Sequence, residues 1–245
     1  MLSFRGNTMR LNERRLRSII RATLLQESSI TQRAADLGFA VCVTGSPGSA
    51  GHLMLYDLQL LKNLVQSYIN SKTKESFENV LFKSQFRNKI VQAGIAWNPI
   101  EEPCNYAKIV QNVASIEGSK MGPVVYELAM WLTGGLASDR FTVSADASSV
   151  WRRFELRTKD VINEPFDDID DPKTPPVDDD CIIQREQEKR QHLDSSYKLK
   201  EKPSGLDEML RRHEEFEEFC NDAGIGNIAF LIFLRYYELF YERYD

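Results

Sequence analysis

A chain of 245 residues with 42% hydrophobic and 27% charged side chains reads as a soluble globular protein, long enough for one generous domain or two small ones. Its net charge of -5 gives no global reason to expect nucleic acid, yet residues 1–27 hold six Arg against two acids and residues 164–181 hold eight acids against Lys173. Cys42, Cys104, Cys181 and Cys220 form no C-x-x-C, which argues against a zinc cage and a disulfide-dense scaffold and for a reducing compartment.

Residues 9–27 form a basic amphipathic pattern, with Leu16, Ile19, Ile20, Thr23 and Leu24 on one helical face and Arg14, Arg17 and Arg21 on another. Arginines interrupt this segment, so it lacks the apolar stretch of a secretory signal. Residues 39–44 and 53–57 predict two strands joined by the flexible "GSPGSAG" turn. That turn is no phosphate-binding P-loop, because it lacks G-x-x-x-x-G-K-[ST] and carries His52 where lysine would be needed. A helix is expected over 58–69, with Leu60, Leu61, Leu64, Val65 and Tyr68 on one side. Strands are expected over 90–97 and 106–116, both rich in Val and Ile.

The stretch "EGSKMGPVVYELAMW" then opens a helix. Val124, Val125, Leu128, Ala129, Trp131 and Leu132 share a face, Pro123 suits a first turn, and Gly134 and Gly135 suit the C-terminal end. Residues 141–143 predict a short strand, and Ser144 a cap for a helix carrying Ala147, Val150, Trp151 and Phe154. From Phe166 the chain reads as an acidic, proline-containing connection whose acids do not follow EF-hand spacing. The last 45 residues predict two helices broken at "DAGIGN". Met209, Leu210, His213, Phe216 and Phe219 mark the first; Ile228, Leu231, Ile232, Tyr236 and Leu239 mark the second. Its longest apolar run, Ile228 to Leu234, is seven residues, against the roughly 20 that a bilayer requires. His52, His192 and His213 follow no metal-ligand spacing, and no metal site is expected.

Hairpin, helix, strands, then strand–turn–helix, short strand and helix is the order of the GNAT superfamily of acyl-CoA-dependent N-acyltransferases. The chain resembles GNAT-like proteins of tailed phages most closely, through Gly122-Pro123-Val124-Val125-Tyr126-Glu127-Leu128-Ala129-Met130, Ser144-Ala145-Asp146-Ala147-Ser148-Ser149-Val150-Trp151 and the acidic stretch 167–181. The resemblance spans residues 104–181 and implies an α/β fold with a GNAT-like mixed, mostly antiparallel sheet flanked by helices. It divides the chain into an amphipathic segment at 1–30, a core at 37–165, a connection at 166–200 and a helical extension at 201–245.

It further implies that acetyl-CoA or another acyl-CoA lies on the turn at Gly118, Ser119, Lys120, Met121, Gly122 and Val124. There, backbone amides and the positive helix end would meet the pyrophosphate. Glu117 is the candidate base and Tyr126 the candidate acid for the leaving thiolate. The superfamily pattern R/Q-x-x-G-x-G/A falls on residues 117–122 and is met only at Gly122, with Lys120 in place of a glycine.

Two readings follow. One is an N-acyltransferase with an unknown amine acceptor. The other is a GNAT-like virion or interaction protein, contacting phage structural proteins through its N-terminal and C-terminal helices. Host cytoplasm and virion are the corresponding locations. The basic N-terminal segment reads as a surface helix, as an arm for anionic membrane or nucleic acid, or as a targeting segment cut after Leu25-Gln26-Glu27, which fits an (L/I)-x-E processing site.

Overall fold

The computed structural model describes residues 29–45, 49–84, 87–98, 107–139, 143–168, 180–182 and 191–241. The expectations for the amphipathic segment 9–27, for Cys104 and for most of the acidic stretch lie outside them. The described chain builds an α/β fold on a mostly antiparallel sheet of seven strands.

The hairpin forms as expected. β1 (Phe39–Gly45) pairs antiparallel with β2 (Gly51–Asp57) from Phe39↔Asp57 to Gly45↔Gly51. α1 (Ile30–Asp36) precedes it, while α2 (Leu58–Ser71), α3 (Phe77–Lys83) and α4 (Arg87–Ile90) follow. Asp57 caps α2 by accepting from the Leu60 amide at 2.9 Å. β3 (Val91–Asn98) returns beside β2, and β4 (Lys108–Ser115) lies antiparallel to β3.

α5 (Gly122–Thr133) leads to the short β5 (Leu136–Ala137), which is parallel to β4. α6 (Ala145–Leu156), β6 (Val161–Pro165), a small parallel pair of β7 (Asp167–Asp168) with β8 (Asp180–Ile182), and β9 (Ser195–Leu199) follow. The chain closes with α7 (Leu206–Asp222) and α8 (Ile228–Tyr241). Strand order in the large sheet is β1-β2-β3-β4-β5-β9-β6.

Alternation along the strands sorts the core into two layers. Phe39, Val41, Leu53, Leu55, Ile95 and Trp97 pack with α5 and α6 on one face. Ala40, Cys42, Met54 and Tyr56 pack with α2, α3, α7 and α8 on the other. Because both faces are covered, β1 is buried continuously from Phe39 to Cys42 and β2 from Leu53 to Tyr56. α7 belongs to both layers: Leu206 and Met209 join the first, Phe216 and Cys220 the second. It thereby covers the β1 edge, where Arg212 Nη1 donates to the carbonyls of Ala35 at 2.6 Å and Phe39 at 3.2 Å. α8 approaches β3 so closely that a Cβ on Gly94 would stand 2.4 Å from the Tyr236 ring. The C-terminal helices are thus a layer of the fold.

Several boundaries differ from expectation. A strand follows the central helix at Leu136–Ala137, soon after the αL cap at Gly134; of the strand expected at 141–143, residues 141 and 142 lie outside the described residues and Val143 is in no strand. The stretch 166–200, read as a connection, contains β9, which fills the sheet between β5 and β6 through Tyr197↔Leu136 and Tyr197↔Asn163. Its composition hides this, since Ser195 and Ser196 are polar yet buried. Among the described residues no helix is long and apolar enough to cross a membrane.

Candidate functional site

The turn between β4 and α5 is held by its own backbone. The Ser119 amide donates to Ile116 O at 3.1 Å, Met121 N–H donates to Ser119 Oγ at 3.3 Å, and the Val124 and Val125 amides return to Met121 O. These bonds leave the amides of Gly118, Lys120 and Gly122 without a partner among the described residues. They sit at the positive end of a 12-residue helix whose first turn contains a proline and no acid.

Lys120 adopts φ 59, the left-handed conformation that costs an L-residue about 1–2 kcal/mol.

Beside this turn one edge of β4 is uncovered. β5 is two residues long and pairs with β4 along its whole length, Lys108↔Leu136 and Ile109↔Ala137. From Val110 to Ser115, β4 keeps β3 as its neighbour and has no partner among the described residues on its other side. A cleft of about 1680 Å³ lies against the end of this edge, larger than the roughly 300–1,000 Å³ of an ordinary small-ligand pocket. The end of β4, the turn and α5 form one wall, and α6 forms the facing wall. Ser29, Ile30 and Arg33 of α1 close one end. Ser144 caps α6 as expected, accepting from Ala147 N at 3.2 Å, so a second helix start faces the same space.

All eight site residues expected from sequence line this cleft. Glu117, Gly118 and Lys120 are exposed at its rim, Ser119, Met121 and Gly122 are half-buried, and Val124 is buried beneath. Tyr126 is only 2% exposed, with Trp151 and Phe154 edge-on at 5.1 and 6.2 Å between ring centres. Burial, reinforced by the charge of Asp139, pushes its phenol well above the ordinary value and keeps it protonated.

Sequence reasoning passed over the most unusual side chain in the cleft. Glu127 is buried on a helix that is otherwise apolar through this stretch, and it meets Arg157 Nη1 in an ion pair. Burial raises its carboxyl above the ordinary value, against the opposing hydrogen bond and charge of Arg157. The same guanidinium also holds Asp160, through Nη2 and through Nε at 3.0 Å, and lies 5.6 Å from the Phe154 ring centre. The Arg157 hydrogen bond holds the Asp160 carboxyl below its ordinary value.

A lone acid within "VVYELAMWL" was the available signal. Its partner, 30 residues away, left none. Arg153 adds an exposed cation on α6. Elsewhere, Ser148 Oγ lies 2.8 Å from His192 Nε2, a pairing that ties α6 to the short 3-10 turn at Gln191–Leu193. Among the described residues no group of three or more His, Cys, Asp or Glu is arranged to hold a metal.

No protein-family model, curated protein or solved structure matches this chain.

Proposed function

We propose that the cleft binds an acyl-CoA and that the protein transfers the acyl group to an amine, as its resemblance to GNAT N-acyltransferases implies. The observation that supports this reading is a β4 edge with no partner among the described residues from Val110 to Ser115, beside unpartnered amides. A long, flexible thioester needs a slot, and its pyrophosphate needs donors. In this reading the amides of Gly118, Lys120 and Gly122 take the pyrophosphate, aided by the Lys120 ammonium and the α5 dipole. The pantetheine arm runs along the unpaired edge from Val113 to Ser115. Glu117 and Tyr126 remain the candidates for proton transfer, Glu117 for the amine and Tyr126 for the thiolate.

A second reading, a GNAT-like domain serving in a phage virion or as an interaction protein, is favoured by a different observation. The Tyr126 hydroxyl is confined among aromatic rings, where burial makes it a weak acid.

An assay of thiol release from acetyl-CoA, run with and without a mixture of primary amines, separates the two. Amine-dependent release supports transfer. Binding without release favours the second reading, and failure to bind at millimolar acetyl-CoA retires the enzyme.

A further inference from the structure

Glu127 is the one carboxylate on a helix buried continuously from Val124 to Met130, and its side chain is only 5% exposed. Burying an ion costs several kcal/mol even when paired, and a hydrophobic residue of similar volume commonly serves stability as well or better. Leu would fill this position without needing a partner from another helix. Yet Glu127 lines the cleft, so something arriving from solvent can reach its side of the pair.

Its partner is unusually easy to displace. Arg157 touches Glu127 through one terminal nitrogen, Nη1, while Nη2 and Nε both hold Asp160. The Arg157 side chain is 35% exposed. Releasing Nη1 therefore leaves the guanidinium still held by two hydrogen bonds at the cleft margin. A cation that replaces it at Glu127 restores the charge balance, so the exchange conserves the number of buried ion pairs.

We propose that Glu127 is a recognition site for a cationic group of the ligand, an ammonium or guanidinium, and that Arg157 occupies that place in the empty cleft. Along α5, Glu127 lies five residues beyond Gly122, a rise of about 7.5 Å from the amides of the turn. The bound cation stays protonated and anchors the ligand, while another nitrogen of the same molecule reacts. The inference deepens the acyl-transfer reading by naming its acceptor as a dibasic compound, a diamine or a guanidino-amine.

The test uses the full chain with agmatine and 1,4-diaminobutane as probes, followed by calorimetry and thermal unfolding, in the wild type and in Glu127→Gln. Glutamine keeps the shape and removes the charge. Wild type should bind at least one probe saturably, and E127Q should bind it at least tenfold more weakly while binding acetyl-CoA within twofold of wild type. A third variant, Arg157→Gln, tests displacement: both probes should raise its unfolding temperature more than that of wild type, because no internal cation competes. Equal probe affinity in wild type and E127Q, or no binding of either probe by wild type at about 10 mM probe, a standard-state affinity weaker than about -3 kcal/mol, overturns the proposal. The probe titrations contain no acetyl-CoA, so loss of acetyl-CoA binding alone would sink the transferase reading and leave the cation site standing.

Discussion

The two faces of the sheet each bury a polar pair, and the pairs differ in what lies beyond them. Behind the sheet, Tyr56 OH meets His213 Nδ1 at 2.9 Å, sealed under α7 near Cys42 and Cys220. Burial lowers the His213 pKa, against the charges of Glu217 and Glu214, and pushes the two thiols up to about 12 and about 11. In front, Glu127 and Arg157 meet at the wall of an open cleft. A sealed pair has packing and specificity to explain it; a pair that solvent can reach has an exchangeable partner as well. That difference, more than burial itself, is what separates the two faces.

The comparison predicts its largest effects where aromatic walls are removed. Trp151→Ala and Phe216→Ala should each cost about 3–5 kcal/mol in denaturant unfolding, since both side chains are essentially fully buried. Only W151A, which removes the Tyr126 support beside the cleft, should also weaken acetyl-CoA binding. Equal ligand affinity in both variants would erase the distinction between the faces. Next in size is Tyr56→Phe, which leaves a buried His213 nitrogen unpaired and should cost about 1–3 kcal/mol without touching ligand affinity.

The two pairs should also respond oppositely to pH. The Glu127 carboxyl is held above 4.5, so the folded chain retains a proton that the unfolded chain has lost. Its contribution to stability therefore falls as pH rises from 4.5 through the folded value. His213 is held below 6.5, so the unfolded chain takes up a proton that the folded chain refuses, and stability falls as pH drops below 6.5. Unfolding temperature measured from pH 4 to pH 8 should lose the first slope in Glu127→Gln and the second in His213→Gln. Identical profiles for wild type and both variants would contradict the assignment. The smallest effect is expected at Lys120, where glycine relieves the left-handed backbone: K120G should raise stability by up to about 1 kcal/mol, or about 2–4 °C.

Local chemistry made much of this architecture legible. Apolar runs on either side of a glycine-rich turn identified β1 and β2, Pro123 and Gly134 bracketed α5, and the Ser144 hydroxyl marked the start of α6. What escaped was non-local. β9 is "SSYKL", and nothing in those five residues announces that both neighbours in the sheet come from 30 or more positions upstream. Leu136 and Ala137, a strand of only two residues fully buried between β4 and β9, are too short a stretch for propensity to single out. The cleft beside the turn left no local signal, because its walls come from β4, α5 and α6 together. Glu127 was visible as a lone acid, while Arg157 became its partner only through the packing of α6 on α5.

The central claim is that the turn amides and the cleft beside them form a seat for an anionic cofactor, and Gly122 tests it most directly. A Cβ there would meet Ser115 Oγ at an ordinary 3.6 Å, so Gly122→Ala should fold without loss of stability while its methyl stands where phosphate must approach. Calorimetric titration with acetyl-CoA should give saturable binding to wild type with a Kd below about 1 mM, weakened at least tenfold in G122A, each tenfold step being about 1.4 kcal/mol. No binding by wild type at millimolar acetyl-CoA, or equal affinity in a folded G122A, would contradict it.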